Sequence, residues 1–394
     1  MAFEGRSAMS LKAEFVRLAG AEGANMTQLC ARFGVSRGCG YKWLERFRQR
    51  GDEGLAELSR RPHGSPSQTE EKIERAVLAV RSEHPAWGGR KIAAVLKRSG
   101  LAHPAPSTIT AILHRHGYPV GRFGGGQEHF IRFEHPHPND LWQMDFKGHM
   151  PMRQGRLHPL TVLDDHSRYA IAVEACADET GNTVKAKLQA AFRRYDLPWR
   201  MAMDNGSPWG DTAGGPFTPL TVWLIECDIL VSHSRPYHPQ TLGKDERFHR
   251  SLKAEALSGP RFESLGQAQQ QLECWRHVYN TRRPHQGIDL QVPADRYRAS
   301  SRDYSEHVQP FEYAPGDQLR IVQMHGRVSF QNRVLRASRA FVGKTVALRP
   351  TTKDGVYDLF FRHQFIKTID LNALDQPPES VHDVSEHLST MSPV

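Results

Sequence analysis

Leu141-Trp142-Gln143-Met144-Asp145-Phe146 is an apolar run with a carboxylate set inside it. Read as a strand, it puts Trp142, Met144 and Phe146 on one face and Gln143, Asp145 and then Lys147 on the other. One face suits a core and the other suits chemistry. Working outward, short runs rich in apolar and branched residues predict further strands at 160–163, 169–174, 201–203 and 229–231. Amphipathic or apolar periodicity predicts helices over 180–195, 217–227, 241–257 and 264–279. Three strands followed by alternating helices and strands make residues 139–300 a mixed α/β domain.

The flanks read differently. Residues 11–47 predict three short helices: Leu11, Phe15, Leu18 and Ala19 form an apolar stripe, Thr27 opens the second helix, and Gly34 and Ser36 supply the break before the third. That third helix carries Arg37, Tyr41, Lys42 and Arg46, a basic-aromatic face of the kind that enters a major groove, so residues 1–50 are expected to be a helix-turn-helix domain. Residues 51–69, with Pro62 and Pro66, read as a linker whose Arg60 and Arg61 could reach a minor groove. A second helix-turn-helix-like unit follows over 70–122, with Thr69 and Ser107 as expected caps and Arg90 and Lys91 at the start of a helix. Gly124-Gly125-Gly126 marks a hinge over 123–138. Residues 310–370 read as a small β-barrel, and 371–394 as a disordered tail.

The 394 residues carry 52 Lys and Arg against 43 Asp and Glu, a formal charge of +9. The excess lies in three segments: nine against four over 70–122, twelve against seven over 235–302, and ten against three over 317–369. Basic segments in series suit a chain laid along a polyanion, because each neutralised phosphate releases counterions. No apolar run is long enough to span a membrane, and the first residues lack the apolar stretch of a signal peptide. Five scattered cysteines without a CxxC pair exclude a disulfide framework and a cysteine zinc knuckle. A cytoplasmic, nucleoid-associated protein with an anionic partner is expected.

Three acids stand out by context. Asp145 sits inside its strand, Asp204 ends another before Asn205-Gly206, and Glu246 lies in a helix beside Lys244, Arg247, Arg250 and Lys253. Acids gathered from separate elements repel unless a cation lies between them, and Mg²⁺ is the oxygen-seeking ion matched to phosphate. On position alone each could equally be a solvated strand acid, a turn or a surface ion pair, and Asp164 and Asp165 are rivals.

The ordered set Trp142-Gln143-Met144-Asp145-Phe146, Met203-Asp204-Asn205-Gly206, 235–249 (Arg235-Pro236-Tyr237-His238-Pro239-Gln240 onward to Lys244-Asp245-Glu246-Arg247-Phe248-His249) and Tyr279-Asn280-Thr281-Arg282-Arg283-Pro284 resembles the integrase core of bacterial insertion-sequence transposases. So do Phe33-Gly34-Val35-Ser36, Tyr41-Lys42-Trp43-Leu44 and His84-Pro85-Ala86-Trp87-Gly88-Gly89, and the likeness runs over most of the chain. It implies a multidomain α, α/β and β protein: tandem helix-turn-helix units, a ribonuclease-H-like integrase core and a small β-barrel. It implies an Asp-Asp-Glu triad of Asp145, Asp204 and Glu246 that holds two Mg²⁺ ions, with Mn²⁺ as a substitute. It also implies double-stranded DNA as partner, a homodimer or larger assembly, and DNA cleavage with strand transfer. Gln240, Lys244, Arg247, Arg250, Lys253, Arg282 and Arg283 join Arg90 and Lys91 as expected DNA contacts. Two features depart from the family: 41 residues separate Asp204 from Glu246, the excess fitting a loop over 207–219, and the paired His and Cys zinc module of retroviral integrases is lacking. A DNA-binding regulator without catalysis, or a nuclease without strand transfer, are the alternatives; the first would lack a triad acid, and all three are present.

Overall fold

The computed structural model describes residues 8–57, 69–119, 134–210, 215–233 and 243–373. The chain divides into two compact units, Met1–Gln68 and Thr69–Val394.

In the first unit, α1 (Ala8–Ala19), α2 (Met26–Phe33) and α3 (Arg37–Arg50) surround Phe15, Val16, Cys30 and Leu44. The apolar stripe of α1 is rotated from the expected one. Phe15, Val16 and Ala19 are buried, whereas Leu11 and Leu18 are exposed. Asn25, not Thr27, caps α2, its side chain accepting from the amides of Thr27 and Gln28. Gly34 takes the left-handed conformation that ends α2, and the Ser36 hydroxyl caps α3 by accepting from Cys39 N at 3.2 Å. A Cβ on Gly40 would lie 2.8 Å from both Cys30 Sγ and Phe15 Cζ, so only glycine lets α3 seat this deeply. The expected linker begins as structure: Gly51–Leu55 is a 3₁₀ turn that buries Leu55 in this core.

The second unit opens with α4 (Glu71–Glu83), α5 (Gly89–Arg98) and α6 (Pro106–Arg115), packed on Val77, Trp87, Ile92, Leu96, Ile109 and Leu113. Neither expected cap is used. Glu70 precedes α4 without a side-chain bond, and Pro106 at the first turn of α6 starts that helix by its fixed φ.

The central sheet contains β1 (Trp142–Phe146), β2 (Met150–Pro151), β3 (Arg156–Asp164), β4 (Ala170–Cys176), β5 (Arg200–Met203) and β6 (Leu230–His233), in the order β2-β3-β1-β5-β6 with β4 paired to β3. β1 runs antiparallel to β3 and parallel to β5, and β5 parallel to β6. Parallel neighbours need crossovers. These are supplied by α7 (Gly181–Tyr195), which Thr180 caps, and α8 (Pro219–Glu226). Both pack on the face that holds Trp142 and Met144. The other face is covered by α9 (Gly243–Leu252), which continues into a π-helical turn at Lys253–Leu257, and by α10 (Leu265–Thr281), through Phe248, Leu252, Leu272, Trp275 and Tyr279.

After α11 (Pro293–Arg296) come β7 (Gln318–Ile321), β8 (Arg327–Phe330), β9 (Arg333–Arg336), β10 (Thr345–Pro350), β11 (Val356–Phe361) and β12 (Gln364–Asp370). The expected barrel takes another form. The strands make an open sheet, β12-β11-β10-β7, and a separate β8-β9 hairpin, with no ladder closing one on the other among the described residues. Nor is this region packed alone: Phe341 meets Phe217 at 4.9 Å, and Val346, Leu348, Leu359 and Phe361 join the same core as Trp223 and Val231. Arg60, Arg61, Gln240, the three-glycine hinge and the tail from 374 lie outside the described residues.

Candidate active site

The pairing of β1 with β5 sets the site. Trp142 lies opposite Met201 and Gln143 opposite Ala202, so the same register carried two residues on brings Asp145 beside Asp204 at the strand ends. Ligands of open α/β sheets gather at carboxyl ends of parallel strands for this reason. Asp204 accepts from Gly206 N at 2.9 Å, and His233, closing β6, donates from Nδ1 to its carbonyl at 2.8 Å. Burial first, and the neighbouring Asp204 carboxylate second, push the Asp145 carboxyl up to about 6.

Helix α9 supplies the next layer. Its inward stripe is Asp245, Phe248, His249 and Leu252. Thr161 Oγ1 donates to the Asp145 carbonyl at 3.0 Å and is 2.8 Å from His249 Nε2, so the ring N–H is on Nε2. That leaves Nδ1 as a lone pair 3.7 Å from Asp145 Oδ2. Burial, with Lys147 nearby, pulls His249 down to about 4, so the ring is neutral. Asp245 is 2% exposed, and neither of its oxygens has a hydrogen-bond partner among the described residues. Burial, then the charges of Asp145 and Asp165, hold it well above the usual carboxylate range.

Glu246 lies exposed in the first turn of α9. The structure thus joins Asp145 to Asp204 but leaves the Glu246 side chain in solvent. Among the described residues no three Asp, Glu, His or Cys groups are close enough to share one ion. The donor chemistry nonetheless fits a hard divalent cation. Two oxygen-only side chains repel one another at a sheet end, where a positive ion would remove the penalty.

The expected DNA contacts sort into two groups. Arg37, Tyr41 and Lys42 are exposed on α3, with Arg46 half-buried. Arg90 is exposed on α5, and Arg247, Arg250 and Lys253 form an outward row along α9 and its continuation. Arg282 is exposed and pairs with Glu83 at 3.0 Å. Three others point inward instead. Arg283 binds Glu255 at 2.9 Å and Ser251 Oγ at 2.7 Å, Lys91 lies 3.8 Å from Glu255, and Lys244 pairs with the buried Asp165. Their charge neutralises protein acids, so it is not available to phosphates. Of the rival acids, Asp164 closes its own turn, accepting from Ser167 N, Ser167 Oγ and Asn139 N.

Family models match five stretches of the chain. The "Integrase core domain" matches at 135–239 and again at 227–293, and "IS481 family transposase, C-terminal domain" matches at 317–376. A helix-turn-helix domain matches at 11–63 and a homeodomain-like domain at 39–113. The chain is 24% identical over 234 residues to an uncharacterized 31.7 kDa protein of insertion element IS407 from Burkholderia multivorans, covering 58% of this chain and 82% of that one. It is also 24% identical over 258 residues to the transposase of insertion sequence IS904 from Lactococcus lactis, covering 59% and 97%. Over 135–293 the chain matches the integrase core, and it is similar to proteins of bacterial insertion sequences. Among solved structures, the simian T-cell lymphotropic virus intasome covers 74% of this chain at 14% identity and TM-score 0.36. The HTLV-2 integrase catalytic core in complex with magnesium covers 41% at 18% identity and TM-score 0.32.

Sequence reasoning missed Asp245, His249 and Thr161. The first two were within reach: on a helix, 245, 248, 249 and 252 share one face, and Phe248 and Leu252 mark it as the inner one. Thr161 was not, because its place opposite Asp145 depends on the β1–β3 register.

Proposed function

We propose that the chain is a DNA transposase that binds the terminal inverted repeats of its insertion sequence, hydrolyses the 3′ ends and joins them to target DNA. The observation that carries this reading is the β1–β5 register, which leads two mutually repelling carboxylates, Asp145 and Asp204, to the end of an integrase-core sheet. Glu246 is the third acid. Together they would hold two Mg²⁺ ions, or Mn²⁺ in their place, which when bound supply an activated oxygen nucleophile and charge stabilisation at phosphorus. Water first opens the phosphodiester at each 3′ end; the freed 3′-hydroxyl then attacks a target phosphate, one P–O bond forming as another breaks. Thr161 bonds the Asp145 backbone carbonyl and the His249 ring, so the strand backbone at Asp145 is tied to α9. The outward row Arg247, Arg250 and Lys253 lies on the helix of Glu246 and receives the DNA backbone, while α3 reads sequence. Two ends must meet, which calls for a homodimer or larger assembly.

The test is Glu246→Gln in the full chain, assayed on duplexes taken from the DNA flanking its gene. Cleavage and strand transfer should both fall at least about a hundredfold while binding stays within about twofold, since only one ligand charge is lost. Wild-type strand transfer by this variant would remove Glu246 from the triad. Nicking without joining by the wild-type protein would favour a nuclease.

A further inference from the structure

We propose that Asp165 is a positioning residue for the third acid: through Lys244 it holds the first turn of α9, and with it the backbone of Glu246, over the strand that carries Asp145. The proposal rests on the assignment of Glu246 made above.

Asp165 is 1% exposed and its two oxygens reach three separate segments of the chain. Oδ1 accepts from Gln143 Nε2 at 3.0 Å and pairs with the Lys244 ammonium; Oδ2 accepts from His135 N at 2.9 Å. Gln143 stands two residues before Asp145 on the same face of β1, and Lys244 stands two residues before Glu246. One carboxylate therefore ties the strand of the first acid to the helix of the third.

Among the described residues, the first turn of α9 makes no side-chain hydrogen bond or ion pair beyond those of Lys244 to Asp165. Glu246 and Arg247 face solvent, and buried Asp245, which has no hydrogen-bond partner among the described residues, supplies no attraction. Lys244 supplies the attraction. A cationic group backs Asp165: the Arg168 charge acts on it and binds Glu134 at 3.0 Å, and Glu134 also takes Arg296 at 2.7 Å. An ion pair so enclosed is costly to break on one side, because the remaining charge stays buried and uncompensated.

The experiment uses the full chain as wild type, Asp165→Asn, Lys244→Arg, Lys244→Met, Glu246→Gln and the Asp165→Asn/Glu246→Gln double variant. Three quantities are read: Mn²⁺ affinity without DNA, by the electron paramagnetic resonance of free Mn²⁺; single-turnover cleavage at saturating Mn²⁺; and melting temperature. Asp165→Asn should weaken Mn²⁺ binding about tenfold and slow cleavage by more than that, and Lys244→Arg should stay within about threefold of wild type. In the Glu246→Gln background, Asp165→Asn should weaken Mn²⁺ binding less than about twofold, because the group it positions is already gone. An equal loss in both backgrounds would mean that Asp165 acts independently of Glu246, and would overturn the proposal. If Asp165→Asn does not fold, Lys244→Met is read by the same rule. A Glu246→Gln protein with wild-type Mn²⁺ affinity and cleavage would instead sink the triad assignment, an outcome that involves no change at Asp165.

Discussion

Asp145 carries its proton far above the usual carboxylate range because burial and the Asp204 charge both disfavour its ionised form. The sign of the consequence follows. The folded state binds this proton more tightly than the unfolded chain does, so the contribution to stability is present at low pH and is lost as pH rises through about 6. A divalent cation reverses the preference, since it needs the carboxylate free. Mn²⁺ affinity should therefore be flat above about pH 7 and fall by about tenfold for each pH unit below 6, as one proton is displaced per ion bound. Calorimetric titrations of the full chain between pH 5 and 8 check this, and a flat profile through 6 would take Asp145 out of the metal site. At the same scale, Asp164 and Asp165 could not be told from catalytic acids in the sequence. Adjacent residues of one type diverge here because one side chain folds back on its own turn while the other reaches a helix nearly eighty residues later. Asp164 also takes Asn139 N from 25 residues upstream, and no local pattern encodes either distant partner.

Helices were more legible than pairings. The break Gly34-Val35-Ser36 was readable because a left-handed C-cap and a hydroxyl N-cap are local devices, and both appear as expected. The α1 stripe was misplaced because a period of 3.6 tolerates a one-residue rotation, and what decided it was the depth to which Gly40 lets α3 approach Phe15. The same local logic failed for Lys91, Lys244 and Arg283, whose basic character is spent on Glu255 and Asp165 far away in sequence. Element α3 gives the sharpest test of DNA recognition. Lys42→Ala should reduce the preference for terminal repeats over random duplex by about 1–3 kcal/mol, the value of one base contact, with little change in α3 itself. Ser36→Ala should instead lower the stability of the first unit by about 1 kcal/mol while leaving that preference intact in the folded fraction. Competition binding and thermal melting separate the two effects; matched losses of preference would mean that the surface of α3 does not read bases.

At the scale of the whole molecule, the two units differ in what they share. Residues 8–57 close a core of their own around Phe15, Leu44 and Leu55. The C-terminal sheet does not, since Phe341, Val346 and Phe361 are buried with Phe217, Trp223 and Val231 of the catalytic region, and Arg362 spans to Asp228 at 3.0 Å. A chain begun at Thr69 should keep a cooperative transition within about 3 °C of the corresponding one in the full protein, whereas a chain ended at residue 310 should lose that transition and aggregate, because it uncovers an apolar face. Calorimetry on the two truncations decides it, and a soluble chain ended at residue 310 that keeps that transition would contradict the shared core. For anyone wishing to retarget the protein, the asymmetry is practical. The front of the chain can be treated as a cartridge, exchanged for another recognition module without opening a core, while its far end is as much a part of the catalytic body as any strand of the central sheet.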